Sequence, residues 1–339
     1  MAKDWPRKAL VVTLFAGLGS VPLLAGADDQ SFYLALFSRM MIFGLAALGL
    51  NLILGFGGLV SLGHAMYLGI GVYTMGILAI QGVTSGWLHL AAALLVGAVV
   101  AVPIGLVCLR TGGVAFIMIT LAFAQMLFYV AISLRDFGGD DGMAIPRRSD
   151  FGLLDLSDNV VFYYTILALL LAVLWSFRQL VESRFGMVLR ASKFNPRRMT
   201  TLGFPTLRYQ LTGYVISAEV CVLAGVLLAN LTLYLSPSYM QWRVSGELVL
   251  MTILGGMTTL VGPVVGAVTL LGIEEVLGAV HLGLPWNLDR FINQHLMIFV
   301  GLFVIAVALW TKQGIYGYLV ARKDQARFAN AGKANDAEN

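Results

Sequence analysis

The chain predicts an all-α, polytopic membrane fold of about ten transmembrane helices, with glycine-broken segments in two related halves. Three observations carry that expectation. The 339 residues are 59% hydrophobic and only 12% charged, with a mean hydropathy of +0.84, far too apolar for a soluble globule of this length. Apolar runs near twenty residues recur along the chain, the length that crosses a bilayer core. The basic residues gather in loops and tails between those runs, as the positive-inside bias requires.

Windows of about twenty residues give spans at 9–26, 32–54, 63–81, 87–109, 113–134, 160–181, 208–235, 246–260, 262–280 and 291–311. Residues 1–31 then form an N-terminal cytoplasmic tail with the first span, 32–311 the membrane core containing the loop 182–207, and 312–339 a cytoplasmic tail. Lys3, Arg7 and Lys8 before the first run imitate a signal peptide. No small-residue cleavage site with a soluble domain behind it follows, so the first span is expected to be retained. With those cations inside, alternation places Asp28 and Asp29 outside and Arg110 inside. The acidic loop with Asp136, Asp140, Asp141, Asp150, Asp155 and Asp158 then falls outside, and the basic segment 182–207 inside. Lys312, Arg322, Lys323 and Arg327 put the tail inside as well, so both termini are expected to be cytoplasmic.

The segment 182–207 is the most informative loop. It carries Arg184, Arg190, Lys193, Arg197 and Arg198 against Glu182 alone. Its second half has the punctuation of a short helix: Asn195 to accept from free N–H groups, Pro196 where a missing N–H costs nothing, and Gly203 for a left-handed residue after the last turn. Two readings stand for it, a docking surface for a cytoplasmic motor and a basic loop that only fixes topology.

The second and third spans and the eighth and ninth are interrupted by glycine. LILGFGGLVSLGHAMYLGIG (52–71) and TILGGMTTLVGPVVGAVTLLG (252–272) both carry Ile-Leu-Gly, a glycine-rich break and a resumed helix. Unwound backbone at membrane depth survives only where it is buried or lines a cavity, so paired breaks point to a transport site. Close helix packing is the competing explanation for any single glycine. It is the reading for Ala93, Gly97, Ala101 and Gly105, a small-residue stripe on one helix face.

Polar groups inside apolar runs are candidates for the substrate path. Ser61, His64, Tyr67 and Thr74 fall near one helical face, beside Gly57 and Gly71. They serve either as a lining that hydrogen-bonds a polar substrate or as interhelical glue. Asn51 and Gln125 are similar, and Glu219, well inside its span, is the more costly group and suggests either the path or a cation on a partner subunit. Of the adjacent Glu274 and Glu275, about 100° apart on a helix, one is expected to face the bundle, while Arg39 snorkels outward.

Several classes are excluded. No lysine is followed by Ser or Thr, so the chain lacks a Walker A element, and no nucleophile elbow, Cys-His pair or His-Glu metal motif occurs. No catalytic, metal or cofactor-binding residue is expected. The net charge of +4 and pI near 9.1 reflect loops facing lipid head groups rather than nucleic acid. Cys108 and Cys221 lie in apolar runs and read as small hydrophobes.

Four elements together carry a resemblance. ALGLNLILGFGGLVSLGHAMYLGIGVYT (47–74), GGDDGMAIP (138–146), SRFGMVLRAS with LGF (183–192, 202–204) and SPSYMQWRVSGELVLMTILGGMTTLVGPVVGAV (236–268) resemble permease subunits of branched-chain amino acid ABC importers, LivM type. The likeness runs in order over roughly residues 40–310. It implies a subunit of an importer in the bacterial cytoplasmic (inner) membrane. Such a subunit works beside a second homologous permease, two ABC ATPase subunits that bind ATP and Mg, and a periplasmic substrate-binding protein. It also assigns 182–207 to ATPase coupling, through Arg190, Asn195, Pro196, Arg197, Arg198 and Gly203. The family's loop usually has acidic and alanine residues where this chain reads Lys-Phe-Asn-Pro-Arg-Arg-Met-Thr-Thr (193–201). The substrate stays open among branched-chain amino acids, urea, short amides and aromatic acids. An ion-coupled secondary transporter has thin support in the lone Glu219 and the split Glu274/Glu275, and a channel has none, since no filter-like element occurs.

Overall fold

The computed structural model describes residues 5–24, 30–152, 156–257, 259–279, 296–310 and 314–317. They form helices α1 (Trp5–Leu24), α2 (Gln30–Asn51), α3 (His64–Ile80), α4 (Gly86–Cys108), α5 (Val114–Ser133), α6 (Asn159–Glu182), α7 (Arg184–Phe194), α8 (Pro196–Thr201), α9 (Thr206–Thr232), α10 (Trp242–Gly255), α11 (Gly262–Ala279) and α12 (Leu296–Trp310). The described residues are all-α apart from a two-residue antiparallel pairing of β1 (Met143–Ala144) with β2 (Tyr234–Leu235) and an isolated bridge between Ser85 and Asp150. Most expected spans fall on helices within a few residues. The start of the tenth, the end of the first, and the tail with Lys312, Arg322, Lys323 and Arg327 lie outside the described residues.

Among the described residues, five helices are long and apolar enough to cross a membrane: α2 with its continuation to Phe56, α4, α5, α6 and α9. α10 differs from the expected span 246–260. It starts earlier and has 14 residues, a rise of about 21 Å against a hydrocarbon core of about 30 Å. Gly256, at φ +115°, ends it in a conformation that side-chain-bearing residues rarely adopt, and the chain turns back into α11.

α2 is the central post. Residues Met40 to Leu54 are buried, and α6, α9, α10 and α11 pack around them. Glycines allow these approaches: Gly44 sits 3.4 Å, measured from an ideal Cβ, from Val264 Cα of α11, and Gly49 likewise 3.0 Å from the Ser217 carbonyl of α9. α3 crosses α9 at Gly71 and Gly225, where a side chain on either would collide with the other helix's backbone. The stripe Ala93, Gly97, Ala101 and Gly105 is buried as expected, and the helix it meets is α9, through Val222, Glu219, Leu211 and Tyr214.

The two ends of the bundle differ in chemistry. At one end the α5–α6 loop clasps its neighbours. Gly86 N–H donates to Asp150 O (2.6 Å), Asp150 N–H to Thr84 O (2.9 Å), and β1 pairs with β2 beside the turn Pro237–Met240. Arg148 donates from Nε to Asn230 O (3.0 Å), and from its terminal nitrogens to Leu156 O and Asn159 Oδ1 (both 2.8 Å), with the guanidinium 4.9 Å from the Phe162 ring centroid. Burial lowers the pKa of Arg148 from its usual value, yet these oxygens, with the Ser157 carbonyl at 3.4 Å, still hold the cation. Asn230 Oδ1 also accepts Ser149 N–H (2.7 Å), and Ser149 Oγ lies 2.8 Å from His89 Nδ1. The opposite end holds the glycine breaks and the basic segment α7–α8.

Candidate functional site

The two glycine breaks meet. After Asn51 the helix widens into a π-helical turn, Leu52–Phe56, with Gly57 N–H bonded to Leu52 O at 3.1 Å and Leu59 N–H to Ile53 O at 3.0 Å. Such turns are uncommon and concentrate at functional sites. Asn51 is fully buried and donates through Nδ2 to the Thr259 carbonyl (2.8 Å), so the first break is tied to the second. Gly55 has no room for a Cβ, which would meet the Met257 carbonyl, and Gly57 lies close against the Ile53 carbonyl. Gly314 closes on Gly256 in the same way. Asn51 Oδ1 is buried without a partner among the described residues, the kind of unmet acceptor that costs about 1–3 kcal/mol.

Ser61, His64 and Tyr67 come together beside the break, but the helical stripe begins one step later than the spacing suggests. Gly63 caps α3, so Ser61 stands in the irregular segment before it, not on the helix. From there its hydroxyl folds back to His64 Nδ1 at 2.8 Å. His64 Nε2 lies 2.9 Å from Ser217 Oγ, whose hydroxyl donates to Gly49 O at 2.6 Å. Tyr67 OH donates to Tyr214 OH at 3.1 Å, and the rings of His64, Tyr67 and Tyr214 meet edge to face with centroids 5.5–5.9 Å apart. Ser245 of α10 accepts Ala65 N–H at 2.9 Å. All three candidates are fully buried, and their polar atoms are occupied within the chain. Sequence spacing pointed to the α3 side of this network. The α9 and α10 side, Tyr214, Ser217 and Ser245, was missed because single hydroxyls in apolar runs carry no periodic signal.

Gln125 and Glu219 are not part of that network. Glu219 is two residues from Ser217, so about 200° round α9, and its carboxylate lies against Gly97 of α4. Both its oxygens, and Gln125 Nε2 on α5, are buried without hydrogen-bond partners among the described residues. Arg39 is exposed, 5.8 Å from the Phe43 ring centroid, and Glu274 and Glu275 are both half-buried, so neither alone faces the bundle.

The basic segment folds into two helices where punctuation alone marked one. Ser183 caps α7 through Gly186 N–H (3.4 Å), and Arg190 turns inward to the Val181 and Gly186 carbonyls (3.1 and 3.3 Å), fixing the α6–α7 corner. Asn195 Oδ1 accepts Arg198 N–H at 3.0 Å, Pro196 opens α8, and Gly203 takes φ +87° with Phe204 N–H returning to Met199 O at 3.1 Å. Arg197 and Arg198 are exposed on α8. The same segment also exposes large apolar side chains that the charge pattern hid: Phe194 is 85% exposed, Leu202 64% and Met187 54%.

A profile of the family described as branched-chain amino acid transport system / permease component matches residues 32–317. The chain is 28% identical over 300 residues to the high-affinity branched-chain amino acid transport system permease protein LivM of Salmonella typhimurium, covering 81% of this chain and 68% of that protein. It is 27% identical to the LivM protein of Escherichia coli K12 with the same coverage. The LivH permease protein of the same strain is 25% identical over 269 residues, 72% of this chain and 84% of that one. No solved structure matches.

Proposed function

Because this chain belongs to the branched-chain amino acid transport system permease family, we propose that it is the LivM-like subunit of an ATP-driven importer in a bacterial inner membrane. The matched relatives carry names for branched-chain amino acid transport, which supports that substrate class here. In this reading the chain carries out no chemistry. A second homologous permease completes the pathway, two ABC ATPase subunits hold ATP and Mg, and a periplasmic binding protein delivers substrate. Both termini lie in the cytoplasm, with 32–311 as the permease core.

One observation carries the assignment of the coupling surface. At the end of the bundle that the charge bias places inside, α8 is capped at both ends and exposes Arg197 and Arg198, and the same α7–α8 segment exposes Phe194, Leu202 and Met187. Apolar anchors beside arginines are what protein–protein contacts use, and exposed cytoplasmic aromatics have no lipid to cover them. ATP-driven ATPase closure would push this surface and alternate access at the glycine breaks, with Asn51, Gly57, Ser61, His64, Tyr67, Gln125 and Glu219 along the path. Arg197→Glu with Arg198→Glu is expected to reduce copurification with the cognate ATPase and transport at least tenfold, while membrane insertion persists. Wild-type ATPase stimulation by that double variant would sink the assignment.

The clasped end, by the same topology, faces the periplasm and seats the binding protein through 135–159 and 236–245. Ser157, exposed in that loop, reports it. A membrane-impermeant thiol reagent is expected to label Ser157→Cys in intact spheroplasts, and labelling only in inverted vesicles would reverse the whole orientation.

A further inference from the structure

Among the described residues, one side-chain hydrogen bond joins the coupling segment to the first glycine break. Lys193, in the last turn of α7 and two residues before the Asn195 cap of α8, reaches back and donates from Nζ to the Gly55 carbonyl at 2.9 Å. Its methylene stem lies across Gly58. That glycine sits at φ +73°, and any Cβ there would strike the stem. Lys193 is otherwise exposed, so its stem bridges the surface that carries Phe194 and the interior of the break.

Gly55 is the point where a pull would be felt. It belongs to the π-helical turn, where the helical ladder is already displaced, and it packs directly on the Met257 carbonyl of the second break. Three residues on, Gly58 has the conformational freedom to let the irregular segment before α3 change direction. A charged donor on a backbone carbonyl is among the stronger hydrogen bonds a side chain can make, and the lysine stem is long enough to keep it over small displacements.

We propose that Lys193 is the positioning residue that transmits movement of α7–α8 to the glycine breaks, holding Gly55 and the irregular Gly57–Gly63 segment in register with the coupling surface. This rests on the coupling role proposed above for α7–α8. Arg190, by contrast, closes on α6 and α7 themselves and makes no such bridge.

The test uses the assembled transporter, with its second permease, ATPase and binding protein, in proteoliposomes. Lys193→Met keeps the stem and removes the donor; Lys193→Arg keeps a donor. ATPase copurification and basal ATP hydrolysis are expected to stay at wild-type levels in both. With Lys193→Met, stimulation of hydrolysis by the loaded binding protein and substrate uptake per ATP are expected to fall at least fivefold, and with Lys193→Arg they return to within about twofold. If Lys193→Met does not accumulate in the membrane, Gly58→Ala, which displaces the stem, is expected to uncouple uptake from hydrolysis in the same way. Unchanged uptake per ATP in Lys193→Met, or in Gly58→Ala where that variant is used, overturns the proposal. A wild-type chain that fails to bind the ATPase overturns instead the coupling role on which it rests.

Discussion

α2 and α5 are both apolar enough to cross a membrane, with hydropathies of 1.8 and 2.2, yet 94% of the apolar window of the first, which runs on to Phe56, is buried against 22% of the second. Hydropathy therefore reports that a helix enters the bilayer, not where it stands in the bundle. Lipid tails are as apolar as leucine, so the sorting falls to small residues and to polar groups that need partners. α2 carries Gly44, Gly49, Ser38 and Asn51, and each is a point of contact or a buried polar group. α5 keeps only Phe116, Thr120, Ala124 and Ala131 inward, about one residue per turn, and leaves Met118, Met126 and Tyr129 outside.

The contrast breaks most sharply at a glycine seam. Gly225→Leu places a side chain on the Leu68 backbone and is expected to cost about 3 kcal/mol or more, seen as loss of membrane accumulation and a lower detergent denaturation midpoint. A variant that accumulated normally would show that the α3–α9 crossing is not so close. His64→Ala ranks second. It removes one interhelical hydrogen bond, to Ser217 at about 0.6 kcal/mol, and a local one to Ser61, leaving both hydroxyls short of a partner, for about 1–3 kcal/mol in all. Uptake is expected to fall with ATPase coupling retained. Unaltered uptake per folded permease would return His64, Ser61 and Tyr67 to packing alone. Met126→Leu, on the open face of α5, is the smallest change, expected within about 0.5 kcal/mol in the isolated subunit. If the same substitution weakened the assembled transporter by tenfold in subunit recovery, α5 would be covered by the second permease rather than by lipid.

Much of the fold was legible because the relevant signals repeat. Helix spans follow from run length, the α4 stripe from four-residue spacing, and the α8 caps from Asn195, Pro196 and Gly203, each a local backbone requirement. The meeting of the two breaks was legible only as parallel wording, Ile-Leu-Gly twice. That Asn51 crosses from one to the other depends on three-dimensional closure over 208 residues. Partners of His64 escaped notice for the same reason: Ser217 is 153 residues away and chemically unremarked in its run. Lys193 was read as one more charge in a basic loop, since its reach to Gly55 exists only once α7 folds beneath the break.

The crossing of Gly71 with Gly225 has a consequence for how the molecule can move. Two helices that meet backbone to backbone have no rotamers to freeze at the contact, so the association carries almost no side-chain entropy penalty. By the same token there is nothing there to rearrange. A seam lined with leucines can slide by rotamer hops, whereas α3 and α9 at this point can only stay together or separate. They therefore travel as one rigid unit, and any change in curvature has to be taken up where the chain is not helical, at residues 57–63.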